Sequence, residues 1–318
     1  MGGRRFRRPC IILNPQAASG KARRLWPRLS LTFEKTLGPI ETRFTQAPGH
    51  ATELARDALD SDADLVVAIG GDGTANEVAN GFFRDGKPIS PDASMAVCPL
   101  GTGGDFRRSA GIPPSPFTAI EALAVRPTRR IDACRLRVTS RTGTEIDRYF
   151  INVTSFGMGG EVSVAAKNSF LTPHSGRAAF LWATAVSIFR YRAKSVVLSL
   201  DGDKPTDPVS IIQVALGNGG YQGGGMFVCP LASLDSGTLE VTLVEDTGFF
   251  DFLRSIPLLY SGKIYSHQNC HHFRVRKLTA VADETVAVEI DGEALGVLPL
   301  EAEILPGAIL MAGTEAAA

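Results

Sequence analysis

Residues 64–77, Asp64-Leu65-Val66-Val67-Ala68-Ile69-Gly70-Gly71-Asp72-Gly73-Thr74-Ala75-Asn76-Glu77, restrict the fold more than any other stretch of the chain. The unbroken apolar run from Leu65 to Ile69 reads as a strand buried on both faces, a property of parallel sheets covered by helices. Gly70 and Gly71 then allow a sharp turn and a close approach of backbone to a ligand. Thr74 with Glu77 three residues on has the form of a capping box, so a helix is expected to begin at Thr74. The unpaired N–H groups and the dipole of a helix start favour an anion, so strand, glycine turn and helix together suit a phosphate. Asp72-Gly73 is also a hairpin turn pair, but Ala75 to Asn80 supplies no alternating second strand. A dinucleotide fingerprint is excluded, because Gly71-Asp72-Gly73-Thr74-Ala75-Asn76 lacks the third glycine of G-x-G-x-x-G.

Flanking segments extend the same pattern. Cys10 to Leu13 is a short buried strand stopped by Asn14-Pro15. The loop Gln16-Ala17-Ala18-Ser19-Gly20 leads into a helical start, Lys21-Ala22-Arg23-Arg24-Leu25, with three positive charges. It is not a P-loop, since the first glycine is missing and Ala22 replaces the magnesium-binding Ser/Thr. A basic loop at a strand end still suits a phosphate, and a solvated helix face fits it equally. Ile40 to Thr45 alternates like a strand, and His50 to Leu59 is helical in pattern. Ser94 to Cys98 is another buried strand, closed by Pro99-Leu100-Gly101-Thr102-Gly103-Gly104-Asp105-Phe106. The order β-α-β-α-β-α-β implies a doubly wound, mostly parallel sheet, with ligands beyond the carboxyl ends of its strands. The loops Asn14 to Lys21, Gly70 to Thr74 and Gly101 to Asp105 all leave such ends.

After Pro127 the texture changes to short, often alternating segments: Ile131–Val138, Tyr149–Val153, Val196–Leu200, Ser210–Leu216, Leu239–Val244, Phe273–Leu278 and Val286–Ile290. These imply an antiparallel sandwich or barrel, interrupted by helices at Arg177–Tyr191 and Phe249–Tyr260. The expected division is an α/β domain over residues 1–128 and a β-sandwich domain over 129–304. Residues 305–318 are expected to return to the first domain. Asn218-Gly219-Gly220-Tyr221-Gln222-Gly223-Gly224-Gly225 is a glycine-rich loop that approaches something closely. Asp291-Gly292-Glu293 places two carboxylates at a strand end, where a hairpin turn is the simpler reading.

At 318 residues, with 44% hydrophobic and 21% charged side chains, the chain is globular and long enough for about two domains. Its zero formal net charge argues against nucleic acid as a partner. Cys10, Cys98, Cys134, Cys229 and Cys270 are scattered without CxxC spacing, so neither a zinc site nor a disulfide framework is expected, and a reducing compartment fits. No secretory h-region follows the basic start. The longest apolar run, Ala178 to Phe189, is shorter than the ~18 residues of a spanning helix. A soluble protein, or one resting on a membrane surface, is expected. The stretch Arg177 to Arg192, with Phe180, Trp182 and Phe189 among basic residues, reads either as an amphipathic membrane-surface helix or as a core helix with solvated ends.

Taken together, Asn14-Pro15 with Gly20-Lys21, Gly70 to Thr74 with Asn76-Glu77, Pro99 to Gly103 with Asp105-Phe106, Asn218 with Gly223 to Gly225 and Pro230, and Asp291-Gly292-Glu293 resemble the diacylglycerol kinase catalytic-domain family. That family includes bacterial lipid kinases, sphingosine kinases and ceramide kinases. The resemblance runs over nearly the whole chain. It implies an ATP-dependent lipid kinase using Mg²⁺, with the nucleotide in a cleft between two domains. Implied nucleotide contacts are Asn14, Lys21, Arg24, Thr45, Gly70, Gly71, Asp72, Gly73, Thr74, Asn76, Glu77, Gly101, Thr102 and Asp105. Glu293 matches the position usually assigned as proton acceptor, with Asp291 and Asp72 as rivals. A structural magnesium would lie at Ser233, Asp235, Ser236 and Thr238. Two departures stand out: Gly104 where the family usually has Asn, and Ser236 where it often has Asp. The acceptor is expected to be diacylglycerol or a related ceramide or sphingoid lipid. The protein is expected in the cytoplasm, peripherally on the inner face of a membrane, and a homodimer is left open. An NAD kinase-like soluble-substrate kinase and a degenerate nucleotide-binding regulator are the alternatives.

Overall fold

The structure, a computed structural model, describes residues 4–101, 103–167, 191–247 and 249–315. Thr102 and nearly all of the helix expected over 177–191 lie outside the described residues. The chain divides into two compact units, residues 1–133 with 305–318 and residues 134–304.

The first unit runs β1 (Pro9–Leu13), α1 (Ala17–Leu37), β2 (Glu41–Phe44), α2 (His50–Asp60), β3 (Leu65–Gly70), α3 (Asp72–Gly81), β4 (Phe83–Arg84), β5 (Lys87–Pro88), β6 (Ser94–Pro99), α4 (Asp105–Ser109) and α5 (Pro116–Val125). Strands β2, β1, β3 and β6 lie side by side and all parallel. Every residue of β1 and β3 is buried, as their unbroken apolar runs require when helices cover both faces. Ile11, Leu13, Leu65, Val67 and Ile69 share one core with Leu29 and Phe33 of α1 and Ile120 and Leu123 of α5. By the two-residue period of a strand, Val66 and Ala68 face the opposite side, the side left for α2 and α3, which pack on each other. Residues 305–315 complete this unit, with Leu310 and Met311 paired in parallel to Ser94 and Met95.

The helix after β3 departs from the expected capping box. It begins at Asp72, with Gly71 as N-cap and no side-chain cap hydrogen bond, so Thr74 lies inside its first turn. Glu77 instead turns to α2, where its carboxylate accepts the Gly49 N–H at 2.8 Å and the Ala51 N–H at 3.1 Å. It caps a neighbouring helix rather than its own.

The second unit runs β7 (Arg129–Thr139), β8 (Glu145–Phe150), β9 (Val153–Gly157), α6 (Met158–Lys167), β10 (Lys194–Leu200), β11 (Val209–Gly217), β12 (Tyr221–Gln222), β13 (Met226–Phe227), β14 (Leu239–Glu245), α7 (Phe249–Ser261), β15 (Cys270–Val275), β16 (Lys277–Val281), β17 (Ala287–Ile290) and β18 (Glu293–Met311). Its pairings are antiparallel. β11 bonds to β10 through Val209–Ile211 and, past a bulge at Ile211/Gln213, to β9 through Gln213–Gly217. β18 bonds to β17 near its start and to β16 further on. Strands that change partner at a bulge form the corners between layers of a sandwich. The layers enclose a core containing Phe150, Phe156, Val214, Leu216, Val241, Leu278 and Val288.

Three expected segments are redrawn. Tyr149–Val153 covers the end of β8 and the start of β9, and Phe273–Leu278 joins what are two strands, β15 and β16. The closing strand begins at Glu293, ahead of the return expected from residue 305. Helix α6 is unexpected, because Gly159 and Gly160 depress helix propensity. Those glycines answer to packing, since a Cβ on Gly160 would collide with the Ala287 carbonyl.

Candidate functional site

In the first unit, the carboxyl ends of β1, β3 and β6 bring three loops together. The loops after β3 and β6 meet backbone to backbone. Leu100 N–H donates to the Gly70 carbonyl at 2.8 Å, and a Cβ on Gly101 would strike the Gly71 Cα. A Cβ on Gly70 would strike the Thr74 side chain. Glycine is therefore required here by contact. The first-turn N–H groups of α3 emerge at this point without a side-chain cap, which leaves them available to an anion. This arrangement fits the phosphates of a nucleotide.

Asp72 serves a different set of donors. Its Oδ2 accepts N–H groups from Gly104 at 2.9 Å and Asp105 at 3.1 Å, and its Oδ1 accepts that of Phe106 at 3.1 Å. The carboxylate thus caps α4, the role that charge at a helix N-terminus fills best. Asp105 is buried and ion-paired with Arg108 at 2.7 Å. Gly104 sits at φ 69°, in the left-handed region. Glycine and asparagine are the residues most at ease there, so the departure from the family's usual Asn preserves the backbone.

Asn14 joins the first loop to this framework. Its Nδ2 donates to Thr74 Oγ1 at 3.2 Å and its Oδ1 accepts the Gln16 N–H at 3.0 Å. Thr45 stands at the same end of the sheet, its N–H bonded to the Leu13 carbonyl at 3.0 Å. Within the early part of α1, Ala18, Ser19 and Gly20 adopt φ of 50°, 56° and 78°. Consecutive left-handed residues cost about 1–2 kcal/mol each when they carry a Cβ, and such strain concentrates at ligand-binding loops. Lys21, Arg23 and Arg24 follow, all exposed. Asn76 lies a turn inside α3, its backbone and side-chain oxygens both accepting from Asn80 at 2.9 Å.

In the second unit, the glycine-rich loop is pinned from below. Asn218 Nδ2 donates to the Ile151 carbonyl and Asn152 Nδ2 to the Tyr221 carbonyl, each at 2.9 Å. Asp291 and Gly292, at φ 47° and 85°, form the two-residue turn between β17 and β18, the geometry of a type I′ hairpin. Asp291 bonds back to Val153 through its N–H at 3.1 Å and its Oδ1 at 3.3 Å. Glu293 is exposed at the head of β18.

A residue that the sequence left unmarked lies two positions before this turn. Glu289 is 1% exposed, and burial, partly offset by its hydrogen bonds, raises its carboxyl to about 7. Its Oε2 accepts the Gly292 N–H at 2.6 Å, and its Oε1 accepts from Ser155 Oγ at 2.6 Å and from Gln222 Nε2. The available signal was a lone acidic residue inside an apolar strand, Ala287-Val288-Glu289-Ile290.

The loop proposed for a structural magnesium closes largely on itself. Ser233 Oγ donates to Asp235 Oδ1 at 2.6 Å, and Ser236 Oγ to the Thr238 carbonyl at 2.9 Å. All donors are oxygens, as Mg²⁺ prefers, but there is a single carboxylate. Among the described residues no group of three or more His, Cys, Asp or Glu side chains gathers in a metal-binding arrangement. The donor set does not make a protein cage for the ion. None of the five cysteines is in a disulfide and all are buried, and burial pushes the Cys10 thiol up to about 11 and Cys229 to about 12. None is an activated nucleophile.

Glycine loops at the carboxyl ends of parallel strands, followed by an antiparallel β unit, define a two-unit protein of the kinase-like α/β plus β-sandwich class. The family model of the diacylglycerol kinase catalytic domain matches residues 8–136, and that of the YegS C-terminal NAD kinase beta sandwich-like domain matches residues 152–313. A Pseudomonas aeruginosa protein named "probable lipid kinase YegS-like" is 30% identical over 275 residues, 85% of this chain and 83% of that protein. The diacylglycerol kinase of Bacillus subtilis is 26% identical over 93% of both. A crystal structure of a diacylglycerol kinase from Bacillus anthracis superposes with a TM-score of 0.69 at 21% identity, over 97% of each chain. The chain belongs to the diacylglycerol kinase family, and it carries both the catalytic domain and the YegS-type C-terminal domain of that family. Membership implies kinase chemistry with a nucleotide and a divalent metal in general terms.

Proposed function

We propose that this protein is an ATP-dependent lipid kinase that phosphorylates a hydroxyl of diacylglycerol or of a related ceramide or sphingoid lipid. The observation that carries this reading is the pair of interlocked glycine loops beside the uncapped start of α3, which present backbone N–H groups where a phosphate can be held. Phosphoryl transfer asks a protein chiefly for positioning and charge stabilisation. In this reading the N–H groups at Asp72 to Thr74 bind phosphate oxygens, and Asn14, Thr45, Asn76 and Gly101 to Asp105 shape the nucleotide site. Lys21 and Arg24 stabilise charge on the transferred group. Mg²⁺ bound with ATP supplies further neutralisation of the phosphates. Glu293, or Asp291 beside it, accepts the proton of the lipid hydroxyl from within about 3 Å. Asp72, with three N–H groups already on its carboxylate, is assigned to positioning.

The relatives named as lipid and diacylglycerol kinases support the choice of acceptor class. No helix among the described residues is long and apolar enough to cross a membrane, which is compatible with peripheral action on the inner face of a membrane from the cytoplasm. The membrane surface and a homodimer are part of this proposal; nucleic acid is not.

The test is ATP turnover with diacylglycerol, ceramide, sphingosine, undecaprenol and NAD in parallel. Lipid-dependent ADP release is expected. Turnover with NAD alone would move the protein to the soluble-substrate kinases, and ATP binding without turnover would make it a regulator.

A further inference from the structure

The carboxylate of Glu289 sits where three segments distant in sequence converge. Ser155 comes from β9, Gln222 from β12 in the glycine-rich loop, and Gly292 from the Asp291-Gly292 turn. Ser155 and Gln222 also bond to each other at 3.1 Å. All three side chains are at least nine-tenths buried, so water does not compete for them. A neutral side chain of the same size would satisfy this space more cheaply, because a buried charge loses its hydration. One further polar atom is left over: Gln222 Oε1 is buried without a hydrogen bond.

We propose that Glu289 is a positioning residue for phosphoryl transfer, whose ionised carboxylate locks the Asp291-Gly292-Glu293 turn to the loop carrying Gln222. The proposal rests on the lipid-kinase reading, in which that turn supplies the proton acceptor. As a carboxylate, Glu289 accepts from three donors at once. Protonation converts one of its oxygens to a donor: on Oε2 the proton opposes the Gly292 N–H, and on Oε1 it turns the Ser155 hydroxyl from donor to acceptor and opposes the Gln222 amide. The Gln222 amide can rotate so that Oε1 accepts this proton, which reverses its bond to Glu289 and turns Nε2 away from Ser155. Among the described residues, the groups around Glu289 do not supply a compensating cation. β9 offers Ser155, β12 offers Gln222, the turn and β18 offer Asp291 and Glu293, and α6, packed on β17, offers Glu161. Burial, partly offset by hydrogen bonds, sets its proton affinity and places the change near pH 7.

Glu289→Gln tests this, with the wild type measured beside it. The expected result has three parts. At pH 8 the variant melts at the same temperature as the wild type or higher, because a buried charge is gone. Its kcat falls at least tenfold while the KM for ATP stays within about twofold. The wild-type rate declines as pH falls through 7, and this limb is absent from the variant. Wild-type kcat in the variant, or a loss that tracks a fall in melting temperature, overturns the proposal. If the wild type turns over no lipid, the kinase reading fails by itself, and Gly292 decides the remainder. Its amide protection against hydrogen exchange should drop below pH 7 in the wild type and stay pH-independent in Glu289→Gln. Equal protection profiles in the two proteins overturn the lock.

Discussion

Replacing Asp72 with Asn separates two roles that one carboxylate can play next to the proposed phosphate site. As a cap it accepts three N–H groups from residues 104–106, two on Oδ2 and one on Oδ1. An Asn keeps one accepting oxygen, so at least one charge-assisted hydrogen bond is lost and the others weaken. Hydrogen bonds to charged groups contribute about 1.5–3 kcal/mol each, and the partial exposure of Asp72 argues for a total near the low end, about 2 kcal/mol. For a unit of this size that corresponds to a fall in melting temperature of roughly 4–8 °C. The loop from Gly101 to Asp105 would lose its anchor, so the KM for ATP should rise more than kcat falls. Calorimetry and steady-state kinetics on the same preparation check both numbers. A loss of kcat of about a thousandfold or more with an unchanged melting temperature would refute the capping argument and mark Asp72 as the proton acceptor.

Three further outcomes follow from the geometry. Gly101→Ala drives a Cβ into the Gly71 Cα, and the parting of the two loops should abolish ATP binding by calorimetric titration and cost about 2–3 kcal/mol. Glu77→Gln leaves one of the two N–H groups at the start of α2 without an acceptor and the other without a charged one, and should lower stability in denaturant by about 1 kcal/mol, through α2 rather than α3. Glu289 gives a pH dependence of stability whose sign is unusual for a carboxylate. Its folded value, about 7, lies above the unfolded 4.5, so the folded state holds the extra proton. Its contribution is fully present below pH 4.5 and is lost as pH rises to about 7. The loss is on the order of 3 kcal/mol, and urea midpoints across that range should show the decline in wild type and not in Glu289→Gln.

The strand-turn-helix at Leu65 to Glu77 could be read from sequence because each of its determinants is local: an apolar run, two glycines and a helix former. Glu77 was misassigned for the opposite reason. Its spacing from Thr74 satisfies the local capping rule, but the N–H groups it accepts belong to residues 49 and 51, which only tertiary packing brings near. The capping role of the Asp72 carboxylate is likewise illegible locally, because its partners lie more than thirty residues away in sequence. Glu289 was invisible as anything but a strand residue. Its partners Ser155 and Gln222 are 134 and 67 positions off, and no periodicity encodes their convergence. Asp291-Gly292 forms the hairpin turn that its dipeptide predicts, a local signal that says nothing of the chemistry of the carboxylates it carries.

The return of residues 305–315 to the first unit sets an order on how the chain can be made. While the second unit is still being synthesised, β6 has no neighbour on the side that Leu310 and Met311 later occupy. Arg126 and Arg129 also wait for Gly313 and Thr314. At ~5–20 residues per second, a nascent first unit spends on the order of ten seconds or more as a parallel sheet with a raw edge at β6 besides the one at β2, the condition in which strands recruit foreign partners. Ribosome-bound chains halted before residue 305 should therefore depend on chaperones in a way that released chains do not, and the vulnerability belongs to the topology, whatever reaction the finished protein performs.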